Sequence, residues 1–135
     1  MLAAIALALT ATPCLAQDPS PVHAAFGNTI VSTYPDGRQA ELWLKPDGSY
    51  DAEGRKHDRS NGHWKVSDAK LCLKQSHPFA FGYNFCTPLK DVHVGSTWSA
   101  KAVTGEAVRV KLERGHVDPA PERARSDRGA DNPNS

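Results

Sequence analysis

The chain has 135 residues, with 16 Lys and Arg against 15 Asp and Glu, a formal net charge of +1 and 23% charged residues. So even a balance gives no basic footprint for nucleic acid or for an anionic membrane surface, and the length leaves room for one small domain.

Residues 1–16 carry no charge and hold an apolar run from Leu2 to Leu9, followed by Pro13 and the small-residue ending Cys14-Leu15-Ala16. This pattern predicts a secretory signal peptide cut after Ala16, and with it a periplasmic or secreted protein. A membrane anchor would need about 20 apolar residues, and Pro13 and Gln17 end the stretch too soon. No Lys or Arg precedes the apolar run, which leaves the start of translation open. Cys14 invites a lipoprotein reading, but Pro13 directly before it fits such a signal badly. Residues 17–25 read as a linker into a domain spanning 26–116.

Within that domain, strands and turns alternate. Asn28 to Tyr34 is the first predicted strand. Pro35-Asp36-Gly37 and Pro46-Asp47-Gly48 then bracket Arg38 to Lys45, an alternating run that predicts a second strand between two tight turns. Pro pre-sets φ at the first corner, Asp bonds nearby backbone, and Gly accepts a positive φ. Ser49 to Ala52 starts a third strand, before a charged stretch from Glu53 to Arg59 that reads as a solvated loop. Gly62 to Ser67 and Lys70 to Lys74 predict a hairpin, with Trp64 and Val66 meeting Leu71 and Leu73 on one face. Tyr83 to Thr87 follows. Thr97 to Val103 and Ala107 to Glu113 predict a last hairpin with Val108, Val110 and Leu112 inward. Residues 117–135 hold three Pro and seven charges, with Val117 the one sizeable apolar side chain. Such a segment cannot bury enough surface to offset its ordering entropy, so a disordered tail is expected.

The fold class is therefore all-β: a small antiparallel meander of seven or eight strands closing into a barrel or sandwich. Ala40, Ala100 and Ala102 fall on inward faces beside Leu42, Leu44 and Trp98. Ordinary layer packing is the expectation for that mixture, with a ligand cavity as the alternative. Cys72 and Cys86 enclose a fifteen-residue ring. In an exported chain they are expected to form a disulfide, which would contribute roughly 3 kcal/mol. Thirteen intervening residues and the lack of a CxxC speak against a metal pair.

Inside that ring lie Phe79, Phe81, Tyr83 and Phe85, the best candidates for a surface that takes a ligand or partner, with Trp43 grouped beside them. Their spacing of two is also that of a strand face packed on a core. His57, His63, His77, His93 and His116 form no HxH, HxxxH or HExxH set, so they read as solvated groups. A surface zinc or copper site at His57 and His63, with Asp58 between, is the alternative. No Gly-x-Ser-x-Gly elbow, phosphate loop or dinucleotide fingerprint occurs, so no catalytic residue, cofactor or metal is assigned.

Gly62-His63-Trp64 resembles the Gly-x-Trp element of lipocalins and other calycins, whose Trp closes one end of an antiparallel barrel. Asp47-Gly48-Ser49-Tyr50, Gly62-His63-Trp64, Leu71-Cys72 and Cys86 together resemble a group of small exported bacterial domains of unknown function. That resemblance implies structural roles for Gly62 and Trp64 in a secreted β-barrel-like domain, without carrying an activity across. The expected function is non-catalytic binding of a small ligand or a protein partner by a monomer. The alternatives are an inhibitor of an extracellular hydrolase such as a lysozyme or protease, and a small hydrolase.

Overall fold

The computed structural model describes residues 21–80, 82–89 and 92–118. The expected signal peptide, residues 17–20, Phe81 and the chain beyond Asp118 lie outside them. A 3-10 turn at His23–Ala25 precedes eight strands: β1 (Thr29–Thr33), β2 (Gln39–Leu44), β3 (Ser49–Glu53), β4 (Arg59–Ser67), β5 (Lys70–His77), β6 (Asn84–Pro88), β7 (Thr97–Lys101) and β8 (Ala107–Glu113). All neighbours are antiparallel, in the order β6-β5-β4-β3-β2-β1-β8-β7. Because β8 returns to pair with β1, the meander curls into a nearly closed barrel whose seam lies between β6 and β7.

The turns explain the meander. Asp36 Oδ1 accepts from the Arg38 N–H at 2.9 Å, and Asp47 Oδ1 accepts from the Ser49 N–H at 2.8 Å. Gly37 and Gly48 follow at φ 80° and 88°, the conformation that glycine adopts without a Cβ penalty. The stretch after β3 is another hairpin of the same kind rather than a long solvated loop. The Gly54 N–H donates to the Asp58 carbonyl and the His57 N–H to the Gly54 carbonyl, with His57 in the left-handed position at φ 64°. Glu53, expected in that loop, closes β3 and is buried, with its carboxylate 3.4 Å from His57 Nδ1.

Strand alternation sorts the two faces. Val108, Val110 and Leu112 are buried inside with Ile30, Leu44, Tyr50 and Leu71; each such side chain stabilises the fold by about 1.5–3 kcal/mol. One end of the barrel is stoppered. Although residues 17–25 read as a linker, Val22 and Ala25 lie in the core, and the Phe26 and Trp64 rings meet at 5.6 Å. The Trp64 indole N–H donates to the Lys45 carbonyl at 2.8 Å, fastening β4 to the second Pro-Asp-Gly turn. Two residues earlier a β-bulge at Asn61/Gly62 brings β5 so near that a Cβ on Gly62 would overlap the Lys74 carbonyl oxygen.

Cys72 and Cys86 sit directly opposite one another in the β5–β6 ladder, on the outer face, and are disulfide-bonded. The bond fixes β6, one of the two seam strands, to the body of the sheet. Across the barrel the outer face carries a second buried layer. The fully buried Thr29 hydroxyl donates to the Gly115 carbonyl at 2.7 Å and accepts from the Trp43 indole N–H at 3.0 Å and the Val117 N–H at 2.9 Å. His116 stacks on Trp43 with ring centroids 4.6 Å apart. Residues 115–117 thus cross the outside of β1 and β2 as a strap.

Candidate functional site: the barrel interior and its open end

Small residues on inward positions decide whether a barrel is solid. In β2, β3 and β7 those positions include Ala40, Ala52 and Ala100, with Ser32 and Ser60 on β1 and β4, and these do not fill the space between eight strands. A cavity of about 340 Å³ remains, walled by inward side chains of all eight strands, among them Ile30, Leu42, Leu73, Phe85, Trp98 and Val108. That volume lies within the range of small-molecule sites, roughly 300–1,000 Å³, and far exceeds an ordinary packing void. The wall is mainly hydrocarbon, with Ser32, Ser60, Thr87 and Gln75 at inward polar positions and the charged residues Glu41, Glu53, Asp58 and Lys101 at its borders.

At the end opposite the Trp64 stopper, the lining reaches Gly54 and Asp58 in the β3–β4 turn, Ala80 and Tyr83 in the β5–β6 loop, and Ala102 and Val103 in the β7–β8 turn. The large apolar side chains exposed among the described residues gather there: Phe79 at 73%, Tyr83 at 57% and Val103 at 64%. The β5–β6 loop and the β7–β8 turn flank the top of the seam. They form an apolar lip on the route into the cavity.

The rest of the rim is polar and tied down. Arg55, from the β3–β4 turn, lies with its guanidinium carbon 4.3 Å from the centre of the Tyr34 ring, itself part of the cavity wall. Its two terminal nitrogens donate to the Glu106 carboxylate at 3.1 and 2.7 Å, and Asp36 stands 3.5 Å away. Three turns are clasped together by this one side chain. The hydrogen bonds to Arg55 hold the Glu106 carboxyl below its ordinary value, and the same bonds raise the Arg55 guanidinium. Burial raises the Tyr34 phenol, which Arg55 partly offsets; burial also raises Tyr50.

The residues singled out from sequence separate in space. Phe85 points into the cavity from β6, Tyr83 lines its edge, and Phe79 is exposed on the loop. Trp43 stands on the opposite face of the sheet, against His116 and Thr29, in a polar groove that also holds Asp51, Asn61 and His77. The histidines do not converge: His57 lies by Glu53, His63 by Ser76 and His77 by Asn61. Among the described residues no three His, Cys, Asp or Glu side chains gather as a metal site would require. Tyr34, Arg55 and Glu106 were not picked out by sequence reasoning. They lie in different turns, 72 residues apart at the extremes, and no local spacing signals that the fold joins them.

No protein family, curated protein or solved structure was found to match this chain.

Proposed function

We propose that the protein is a calycin-like, non-catalytic binding barrel that takes up a small apolar ligand in its interior and acts outside the cytoplasm, in the periplasm or after secretion. The observation that carries this reading is the cavity itself: about 340 Å³ of space walled by all eight strands, stoppered at the Trp64 end and lipped by exposed apolar side chains at the other. Leaving such a volume empty forgoes packing that Leu or Phe in place of Ala40, Ala52 or Ala100 would supply. A site that binds ligand recovers those contacts on loading. The Cys72–Cys86 disulfide supports an oxidising location.

The test is a fluorescence titration of the full chain with N-phenyl-1-naphthylamine, an uncharged probe that brightens in apolar surroundings. Saturable one-to-one binding, lost in Ala100→Phe, supports the reading; no binding, or binding indifferent to that substitution, refutes it. A second reading draws on the exposed lip alone. Phe79 and Tyr83 on a loop within the disulfide ring suit an inhibitor that docks on an extracellular hydrolase. Inhibition of a lysozyme or protease that falls tenfold or more in Tyr83→Ala while probe binding persists would favour it.

A further inference from the structure

We propose that the ligand carries no negative charge: a mainly hydrocarbon molecule of roughly eleven to seventeen non-hydrogen atoms bearing a hydroxyl or carbonyl oxygen, with carboxylate-headed analogues rejected. This inference rests on the interior-binding reading above and adds the chemical class.

Size comes first. A dry cavity of roughly 150 Å³ accepts one benzene ring. The interior here, at about 340 Å³, is a little over twice that, which scales to roughly fourteen non-hydrogen atoms: two or three rings, or a chain of ten or more carbons with a polar head.

The polar chemistry of the wall follows. Inward strand positions present aliphatic and aromatic groups, one amide and hydroxyls; Arg109 and Lys111 alternate outward, while Glu41, Glu53 and Lys101, each next to an inward residue, also border the lining. The Ser32, Ser60 and Thr87 hydroxyls line the cavity and make no side-chain hydrogen bond among the described residues. Each has a donor and acceptor lone pairs to offer a guest. The Gln75 amide NH2 is already engaged, donating to the Pro78 carbonyl at 2.8 Å. Hydroxyls match an alcohol, ketone or ester oxygen, and none supplies the positive charge that a buried carboxylate needs.

The rim gives the same answer. Arg55 is the cation lying over a wall residue, yet both of its terminal nitrogens are already held by Glu106, with Asp36 alongside. Asp58 adds a further carboxylate to the lining. An anionic head arriving at the mouth meets three carboxylates and a guanidinium whose fork is occupied. Lys101, between the inward Ala100 and Ala102, is the other cation bordering the lining among the described residues, so inside the barrel the head must displace Glu106 or remain unpaired.

Displacement of N-phenyl-1-naphthylamine from the full chain tests this. At pH 8, 1-decanol and 2-decanone should compete at least tenfold more tightly than decanoate. Ser32→Ala/Ser60→Ala/Thr87→Val should weaken 1-decanol fivefold or more while changing probe affinity less than twofold. Decanoate competing as well as 1-decanol, above all if Arg55→Met then abolishes that competition, overturns the inference and makes Arg55 an anion-recognition residue. Probe binding without discrimination among head groups overturns the ligand class alone. Absence of probe binding overturns the interior site and the class with it.

Discussion

Replacing Ala100 with Phe separates a hollow barrel from a solid one by the sign of a stability change. Ala100 faces inward on β7, opposite Val108, on the cavity wall. The added ring has the bulk of a benzene, which needs roughly 150 Å³, less than half of the 340 Å³ present. Burying it gains about 1.5–3 kcal/mol, and fixing its two torsions takes back part, leaving a net gain of about 1–2 kcal/mol. In a domain of this size each kcal/mol raises the melting temperature by roughly 4–8 °C. A filled interior would respond the other way, since overpacking costs about 1–3 kcal/mol. Urea unfolding with both midpoint and slope recorded is the assay, because an unchanged slope assigns the shift to stability. Phe also suits a strand better than Ala, so the gain must come with loss of N-phenyl-1-naphthylamine binding, which strand preference does not produce. A lowered midpoint, or a raised one with binding intact, would refute the cavity argument.

Other expectations follow from single contacts. Gly62→Ala should cost about 2–4 kcal/mol or prevent folding, because the new Cβ overlaps backbone of β5 at the bulge, where no side chain can swing aside; a urea midpoint within experimental error of wild type would contradict this. Cys72→Ser/Cys86→Ser should lose roughly 3 kcal/mol of unfolding free energy, with the seam strand β6 showing the largest rise in amide exchange. Thr29→Val keeps the side-chain shape but removes the partner of Trp43, Gly115 and Val117, so a loss of about 1–3 kcal/mol is expected, together with a red-shifted Trp43 emission as the strap lifts. The Glu106 carboxyl is held low by its hydrogen bonds to Arg55, so its contribution is present above the unfolded value of about 4.3 and disappears as pH falls through the depressed folded value. Urea midpoints of wild type and Glu106→Gln should therefore differ at pH 7 and converge as pH falls below about 4; a constant offset across that range would show that the charge of Glu106 is not what the clasp uses.

Most of the strand plan was legible because the chain writes its turns in backbone chemistry. The two Pro-Asp-Gly turns, and the alternation of Val108, Val110 and Leu112, placed β2 and β8 within a residue or so of where they lie. The β3–β4 hairpin was hidden because His57 occupies the left-handed position that a reader expects Gly to mark, and Glu53 looked solvated from its charge. The opposed cysteines follow from the β5–β6 register, which places Leu73 and Phe85 inward and Cys72 and Cys86 outward. The cavity was harder to foresee. Ala40, Ala52 and Ala100 are as compatible with close packing as with a void, and only closure of the sheet decides whether their neighbours reach across. The Arg55 clasp leaves no trace in sequence, since its partners come from turns that only the curling of the meander brings together.

The most direct test of the account is where a bound guest sits. In the full chain uniformly labelled with 13C and with saturating unlabelled 1-decanol, intermolecular NOEs should connect the alkyl protons to Ile30, Leu71, Leu73, Val108 and Val110 inside the barrel. Cross-peaks confined to Phe79, Tyr83 and Val103 at the lip, or none at all, would contradict an interior site.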